Sequence, residues 1–407
     1  MYSILTILAA AHNLSFMVNS SMLSGVKVLD FTALLPGPFA TSILADLGAN
    51  VIKVEPPAGD FARQMPVEMF RVANRNKRSI ALDLKQPDSR EVIARLARWA
   101  DVAVEGFRPG VVDRLGVGPK QLRAINPALV YCSISGYGQT GPLRDEPGHD
   151  FNYMAASGAL SFLGHWSDKR PHRSGLPVAD VAGGSYAAIA ILAALLSRKT
   201  TGAGATLDIS LTEAAMSFMS VRRGLDNDEP GRWHLYPTND LFDTADGRRL
   251  SFGIVEPHFW TAFLAAAGPL EPRLTEPRFA GESGRRTHGD ELAAIISQLM
   301  LAKDAREWLA FFQGHDVPVQ LVHTPREAAD SPQARARGLV QQIDGERHLP
   351  FPVATDQGPA GRLSSLAPDV GEHTDAILGE LEFTPEERLR LAQQGACRVA
   401  LPATATV

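Results

Sequence analysis

The chain has 407 residues, of which 45% are apolar and 21% charged, a composition typical of folded globular proteins and unlike disordered or fibrous ones. This length exceeds what a single hydrophobic core normally serves, so we expect two domains. Its 40 basic and 45 acidic side chains give a formal charge of -5, which excludes a global positive field for nucleic acid or an anionic membrane. We therefore expect neither partner, and local charges must meet any anionic ligand.

The first 22 residues are treated as an N-terminal extension outside the fold prediction. Their apolar stretch is far shorter than the ~20 residues that a membrane helix needs, and no basic residue precedes it, so we expect no cleaved signal. Only Cys132 and Cys397 are present, too few for a disulfide framework. A cytoplasmic location is expected.

From Val26 onward, short β-branched runs alternate with helical periods. The strand-like runs are VKVLDFT, VIKVE, SIALDL, DVAVEGF and ALVYCSIS, and helices such as PFATSILADLG and REVIARLARWA separate several of them. This alternation predicts an α/β fold with a parallel sheet. Pro36 and Gly37 follow the first strand and suit a tight turn at its carboxyl end, where ligands usually bind in such sheets.

The later sequence predicts a second unit and a return to the first. We predict a large domain over 23–221, a charged linker over 222–233, a small α+β domain over 234–325, and a return segment over 326–407 that completes the large domain. The small domain carries its own strand, RRLSFGIV, and helix, AREWLAFFQG. In the return segment, Thr384, Pro385 and Glu387 predict a capped helix start.

A long apolar run, YAAIAILAALL, follows Ser185. Apolar residues surround this helix on every side, so we predict that it is buried, with Ser185 as its N-cap.

The run GYGQTG, residues 136–141, matches G-x-G-x-x-G directly after a predicted strand. A dinucleotide fingerprint would open a helix there, yet Pro142 and a polar segment follow instead. We interpret these glycines as a turn that lets the backbone approach another group, with a purely structural turn as the alternative.

Two titratable residues stand out by position. His149 lies in the polar segment GHDFNY, where an imidazole suits proton transfer, although one such histidine is more often structural. Asp180 follows LPVA and precedes Gly183 and Gly184, so we predict a carboxylate at a strand end beside a helix N-terminus. Simple helix capping is the alternative. No metal site is predicted, because the spacings of H-E-x-x-H and C-x-x-C are absent from the sequence.

Five segments together resemble the family III CoA-transferases (CaiB/BaiF), from Leu23 to near the C-terminus. They are LSGVKVLDFT, LADLGANVIKVE, NRNKRSIALDLKQP, EGFRPGVVDRLG and GEHTD. The resemblance implies a Rossmann-like large domain, a smaller domain, and an interlocked homodimer with active sites between chains. It also implies an acyl-CoA substrate and no cofactor beyond the CoA of that substrate.

Within this family the chain resembles the alpha-methylacyl-CoA racemase branch. That branch carries a G-H-D-x-N-Y stretch, matched from Gly148 to Tyr153, and an E-P-x-F stretch, matched from Glu256 to Phe259. The resemblance implies that His149, Asp180 and Glu256 are catalytic. Transferases of the family instead carry a glycine-rich loop in the small domain, where this chain reads SFGIVEPHFW.

The resemblance also assigns the contacts to CoA. Those implied for the nucleotide end are Asn74, Arg75, Asn76, Lys77, Arg108 and Arg114, and those implied for the pantetheine and thioester end are Gly148, Asp150 and Tyr153. Basic side chains suit phosphates. One departure is Pro56, which stands where both branches commonly place arginine.

The chemistry implied is racemisation of a 2-methylacyl-CoA by two bases on opposite faces of an acidified α-carbon. We expect burial to raise the pKa of Asp180, Glu256 to support His149, and backbone amides at the start of the Gly183 helix to stabilise the enolate. CoA transfer between carboxylic acids through an Asp180 anhydride is the alternative. A non-enzymatic CoA-binding protein is a further one.

Overall fold

The computed structural model describes residues 21–65, 68–164, 171–223, 225–226 and 237–398. The predicted N-terminal extension therefore lies almost entirely outside the described residues, as does most of the predicted linker. The chain divides into two compact units. One takes in residues up to 159, 174–222 and 333 onward, and the other 160–173 and 223–332. The predicted domain boundaries themselves stay a prediction.

A seven-stranded sheet organises the first unit. Six strands are parallel: β1 Lys27–Phe31, β2 Asn50–Glu55, β3 Lys77–Leu82, β4 Val102–Glu105, β5 Val130–Ser135 and β6 Thr206–Ser210. Their order is β3-β2-β1-β4-β5-β6, and a short antiparallel strand, Cys397–Arg398, extends the β3 edge. The predicted α/β fold with a parallel sheet is confirmed. The strand order changes direction between β1 and β4, and ligands bind at such switch points.

Helices cover the faces of this sheet. They are α1 Pro36–Asp46, α2 Met69–Ala73, α3 Ser89–Trp99, α4 Val111–Leu115, α5 Pro119–Ile125, α6 Asp150–Ala156, α7 Val178–Thr201 and α8 Leu211–Arg223, with a 3₁₀ turn at Phe61–Gln64. A second 3₁₀ turn, Ala159–Phe162, lies where the chain passes to the second unit. The core beneath them is built from strand residues such as Leu29, Ile52 and Ile80, which are fully buried against Val92 and Leu96 of α3. Apolar residues on both faces of each strand are what a sheet covered on both sides requires.

Helix α7 corrects two details of the sequence prediction. It begins at Val178, so Ser185 lies inside it, and the Ser185 hydroxyl donates to the carbonyl of Val181 at 2.8 Å instead of capping the helix. The helix is also only partly buried, because Ile189 is 60% and Leu196 67% exposed. By length and hydropathy α7 is the one helix of the described residues that is able to cross a membrane, but half of its apolar window is buried, as in a core helix.

The second unit has its own hydrophobic core. Its strands β7 Leu241–Asp243, β8 Arg249–Phe252 and β9 Val319–Leu321 form an antiparallel sheet, and its helices are α9 Pro257–Ala267, α10 Glu282–Thr287, α11 Gly289–Met300, α12 Ala305–Phe312 and α13 Pro325–Ala329. Short 3₁₀ turns lie at Pro272–Thr275 and Pro277–Phe279. Phe252 contacts the rings of Phe242, Phe263 and Phe312 edge-on, and Trp308 stacks on Phe312. These strands and helices form an α+β arrangement.

The last segment returns to the first unit. It contains α14 Pro332–Arg337, the hairpins β10 Gln341–Ile343 with β11 Glu346–His348 and β12 Ala354–Thr355 with β13 Gly358–Pro359, then α15 Thr374–Glu380, α16 Pro385–Gln393 and β14 Cys397–Arg398. The predicted cap of α16 is confirmed. The Thr384 amide donates to Glu387 at 2.9 Å, and the Glu387 amide donates back to the Thr384 hydroxyl at 3.3 Å.

Candidate active site

Four loops meet at the carboxyl edge of the parallel strands. The loop after β1 lies beside the loop after β4, since a Cβ on Gly106 would be 3.7 Å from Cβ of Thr32. The loop after β5 is tied to the start of α8, because the amide and hydroxyl of Thr212 donate to the Gly136 carbonyl at 3.0 and 2.8 Å. This edge is where the fold class places its ligands.

His149 stands at the N-terminal boundary of α6. Its backbone amide donates to the side-chain oxygen of Asn152 at 3.1 Å, so the asparagine of the GHDFNY segment secures the backbone of the histidine. The residue itself is exposed at the surface of this unit. An imidazole held by its backbone and open to its surroundings suits proton exchange with a ligand.

Tyr153 explains the glycines that flank the loop after β5. Its phenol donates a short hydrogen bond to the Gly148 carbonyl, and its ring meets Tyr137 edge-on at 5.2 Å. A Cβ on Gly136 would lie 2.3 Å from this ring, and one on Gly148 would lie 2.6 Å from it, distances that no side chain tolerates. The prediction that GYGQTG forms a turn allowing close backbone approach is confirmed. Tyr153 is the group that approaches.

Asp180 is the third residue of α7, so the prediction of a strand ending at this residue was wrong. The residues LPVA lead directly into the helix, because Pro177 suits a helix boundary and Val178 already has helical hydrogen bonding. Asp180 is half-buried. Burial, and secondly the charge of Asp150, raise the pKa of Asp180 to about 7, as the sequence predicted.

The predicted enolate donors near Gly183 are a second correction. Because α7 begins at Val178, Gly183 and Gly184 lie within the helix, where amides serve the helix itself. Their lack of side chains serves packing instead. A Cβ on Gly183 would lie 2.2 Å from Leu211, and one on Gly184 would lie 2.7 Å from the Pro36 carbonyl.

Asp150 joins the two helices that carry His149 and Asp180. Its Oδ1 accepts from the amide of Ala179 at 2.7 Å and from the amide of Asp180 at 3.2 Å. These are first-turn amides of α7, and Pro177 before them has no side-chain oxygen to offer. The first residue of α6 therefore caps α7. Sequence reasoning assigned Asp150 to CoA and missed this contact, which spans 29 residues of chain.

Glu256 lies in the second unit. It precedes Pro257, the first residue of α9, and it is exposed without a side-chain hydrogen bond at the helix start. The E-P-x-F segment thus forms a helix entrance with proline in its favoured first position. The predicted support of His149 by Glu256 stays a prediction.

Three arginines surround the turn between β4 and α4. A Cβ on Gly110, which has φ of +80°, would lie 3.6 Å from Nη2 of Arg144 and 3.8 Å from Nη1 of Arg114. Arg108, two residues earlier, is exposed. Burial raises the pKa of the nearby Tyr153 phenol to about 12, and the positive charge of Arg108 partly opposes this rise. Sequence reasoning named Arg108 and Arg114 but missed Arg144. Arg144 could have been found only by knowing that residues 142–148 lie beside this turn, which no sequence pattern indicates.

The predicted nucleotide contacts at 74–77 have side chains directed into the protein. Lys77 Nζ donates to Asp30 at 2.9 Å, to the Pro38 carbonyl at 3.0 Å and to Asn74 at 2.9 Å. Arg75 Nε donates to Asp46 at 3.0 Å. Asn74, Arg75 and Lys77 are almost completely buried, so these three side chains support the fold from within.

Asn76 completes that turn in a left-handed conformation, with φ of +61°. Its amide donates to Asp46 at 2.8 Å, and its oxygen accepts from the backbone of Ser364 at 2.7 Å. Whether residues 74–77 contact CoA stays a prediction. Pro56, the departure from the family pattern, is exposed at the end of β2.

Within residues 21–65, 68–164, 171–223, 225–226 and 237–398, no group of three or more His, Cys, Asp or Glu side chains is arranged to hold a metal ion.

Comparisons with known proteins agree over nearly the whole chain. The family model for CoA-transferase family III matches residues 23–374. The chain is 32% identical over 386 residues to the alpha-methylacyl-CoA racemase of Homo sapiens, covering 91% of this chain and 96% of the relative. It is 36% identical over 335 residues to the acetyl-CoA:oxalate CoA-transferase of Acetobacter aceti, covering 79% and 86%. The solved structure of a CAIB/BAIF family protein from Brucella suis superposes with a TM-score of 0.79 at 30% identity, covering 89% of this chain and 100% of that one.

Proposed function

Because the chain is an enzyme that belongs to the family III CoA-transferases, we propose that it racemises 2-methylacyl-CoA thioesters by moving one proton between the two faces of the α-carbon. The observation that carries this proposal is the pKa of Asp180, about 7, on a helix tied to the helix that His149 precedes. A carboxyl group of this kind is partly protonated at neutral pH, so it can give or accept a proton there.

The proposed chemistry needs only two bases and the thioester. One base removes the α-hydrogen as a proton, and the electron pair of the C–H bond passes into an enolate. The conjugate acid of the other base then returns a proton to the opposite face, and the C–H bond forms again with inverted configuration. We assign His149 and Asp180 to these roles, and no cofactor beyond the CoA of the substrate.

We further propose that the site is completed in an interlocked homodimer, in which the partner subunit's Glu256 supports His149. Exposed apolar side chains on α7 and α8 favour a protein partner for this surface: Val181, Ile189, Leu196, Phe218 and Val221. Such a dimer should have no stable folded monomer. Sedimentation of the active enzyme should give a dimer at every protein concentration that supports activity, and an active monomer would contradict the proposal. A cytoplasmic location is part of the proposal.

The CoA moiety is proposed to lie along the arginines at the carboxyl edge. Arg108, Arg114 and Arg144 are the described cations around Gly110, and guanidinium groups bind phosphates through paired hydrogen bonds. Gly148 and Tyr153 are proposed to face the pantetheine and thioester end. Because the buried side chains at 74–77 are already paired, we assign any contact of that segment with CoA to its backbone.

CoA transfer between carboxylic acids is the second candidate. It is favoured by the transferase names of several relatives, including the Acetobacter aceti protein. In that reaction the Asp180 carboxylate would attack the thioester carbonyl, the C–S bond would break with release of CoA thiolate, and an acyl–aspartyl anhydride would form. The anion is the nucleophile, so a pKa near 7 suits proton transfer better than it suits this attack.

Incubation in deuterium oxide separates the two reactions. A racemase exchanges the α-hydrogen of a 2-methylacyl-CoA for deuterium and interconverts its enantiomers, whereas a transferase exchanges nothing and forms a new CoA ester when a free acid is added. Mass spectrometry of the thioester measures both. Transfer without exchange would replace the racemase assignment, and absence of both would favour a CoA-binding protein without catalysis.

A further inference from the structure

We propose that Asp150 is a positioning residue for the reaction, whose carboxylate holds Asp180 at the start of α7 at a fixed place relative to His149. This inference rests on the proposed function, because it concerns the same site. It gives Asp150 a role different from contact with CoA.

The contacts that carry it are short and specific. Oδ1 of Asp150 accepts from the amides of Ala179 and Asp180 at 2.7 and 3.2 Å, so one oxygen holds the backbone of the catalytic residue itself. Asp150 follows His149 directly and opens α6. A movement of α7 relative to His149 therefore has to break the two hydrogen bonds of this carboxylate.

The cap cannot come from α7 itself. Pro177, at the boundary of the helix, lacks a side-chain oxygen, and no side-chain cap is formed there. The amides of the first helical turn have no partner within the helix, and leaving them without an acceptor destabilises the helix. A carboxylate placed there also interacts favourably with the positive end of the helix dipole. Asp150 supplies both the acceptor oxygen and the negative charge, and it does so from a different helix. A local Ser or Asn at position 177 would cap α7 without linking it to His149.

The same carboxylate sets the electrostatics of Asp180. Among the described residues, the ionisable groups that interact with Asp180 are the carboxylate of Asp150 and the phenol of Tyr153, both on α6, with Arg108 beyond the phenol. Asp150 is thus the charged neighbour that favours the protonated form of Asp180. Removing that charge while keeping the oxygen separates the electrostatic effect from the positioning effect.

Two substitutions make this separation. Asp150→Asn keeps an oxygen for the two amides but removes the charge, and we expect the acid limb of the pH profile for α-hydrogen exchange to move down by about 0.5 pH unit or more. Its maximal rate should stay within about tenfold of the native rate. Asp150→Ala removes the acceptor as well, and we expect kcat to fall roughly 100-fold with KM for the thioester changed less than about threefold.

Asp145→Asn is the matched control, because it removes an exposed carboxylate from the loop that leads to α6. It should leave the acid limb in place. If Asp150→Asn behaves like this control and Asp150→Ala also keeps the native kcat, while native enzyme exchanges the α-hydrogen, the inference is wrong and the proposed function stands. A KM effect without a kcat effect in Asp150→Ala also overturns it, and makes Asp150 a CoA contact.

Failure of the proposed function has a different signature. Native enzyme would then show no exchange, and the same two variants would be assayed for CoA transfer, in which Asp180 also reacts. A roughly 100-fold loss of transfer rate in Asp150→Ala, with Asp150→Asn within about tenfold of the native rate, supports the positioning role, whereas native transfer rates in both variants overturn it.

Discussion

Charged side chains lie on both sides of β1 in the first unit, and they are satisfied in different ways. On the β2 and β3 side, Lys77 pairs with Asp30 and Lys53 with Asp60, each at 2.9 Å and fully buried. On the β5 side, Asp180 is held by its backbone, and its carboxylate has a neighbouring carboxylate in place of a cation. In the first region the charged side chains form internal ion pairs, whereas in the second region the carboxyl group of Asp180 has no cation beside it among the described residues and can change its protonation state.

The pKa values express the same difference. Burial alone would raise the pKa of Asp30, but Lys77 and Lys53 hold it well below the usual range, so this group stays ionised. Burial and Asp150 together raise that of Asp180 to about 7. A buried acid beside cations is a fixed charge, whereas an acid beside another acid can exchange protons near neutral pH.

The largest expected effect tests the second region. If His149 and Asp180 each serve one face of the α-carbon, His149→Ala should reduce exchange from one enantiomer by about 100-fold to 10,000-fold more than from the other. Asp180→Ala should show the opposite bias. Initial exchange rates of the separate enantiomers in deuterium oxide measure this. Equal losses from both enantiomers in either variant would contradict the assignment of one base to each face.

Breaking the first region should instead cost stability. Asp30→Ala leaves Lys77 buried without its carboxylate partner and removes a neighbouring negative charge from Lys53, so we expect the free energy of unfolding to fall by about 3–5 kcal/mol. Asp145→Ala removes an exposed carboxylate and is the matched control. Denaturant unfolding of the three proteins, at one protein concentration, gives the comparison. If Asp30→Ala unfolds at the same denaturant concentration as the control, these charges do not stabilise this part of the sheet.

The contrast also shows how far sequence reasoning reaches. Alternating strand and helix periods predicted the parallel sheet, and the segment GHDFNY pointed to His149, because both depend on local patterns. Ion pairs between residues that are distant in sequence do not depend on local patterns and could not be predicted in this way. The basic segment at 74–77 looks like a phosphate site in sequence, yet Lys77 finds its carboxylate in β1, 47 residues away.

The errors at Asp180 have the same origin. The apolar run LPVA reads equally well as a strand end or a helix entrance, and the deciding contact is the carboxylate of Asp150 on another helix. Arg144 was missed for a similar reason, since its neighbour Arg114 lies 30 residues away and Arg144 itself stands in the loop between β5 and α6.

A third prediction concerns Glu105, a buried acid that has no cation partner among the described residues and no proposed role in catalysis. It lies at the end of β4, where its Oε2 accepts from the Phe107 amide at 2.8 Å, and burial raises its pKa to about 7. A raised pKa means that the folded state binds the proton more tightly than the unfolded state. The protonated Glu105 therefore contributes stability to the folded state that is fully present below pH about 4.5 and is lost as pH rises through about 7.

Glu105→Gln keeps an oxygen for the Phe107 amide and stays neutral at every pH. Relative to the native protein, its free energy of unfolding should therefore rise between pH 4.5 and 7, by up to about 3 kcal/mol. Unfolding curves at several pH values measure the difference. Parallel stability profiles for the two proteins would show that Glu105 is satisfied as an anion, like the acids of the first region.

The smallest expected effect concerns the arginines, which distinguish charges kept for a ligand from charges kept for the fold. Arg144 and Arg114 approach the same point above Gly110, and Nε of Arg144 is buried without a hydrogen-bond partner among the described residues. Two cations so placed repel each other unless an anion joins them, which is the opposite of the paired lysines near β1.

Arg144→Ala should raise KM for a CoA thioester roughly tenfold and leave kcat within about twofold, because the phosphates lie far from the reacting carbon. A thioester truncated at the pantetheine has no phosphates near these arginines, so its turnover should not change. Arg90→Ala, which removes an exposed arginine from α3, is the control for loss of one positive charge. If Arg144→Ala weakens the truncated and the full-length thioester equally, Arg144 supports the loop that leads to His149, and the arginine cluster belongs with the structural charges of the first region.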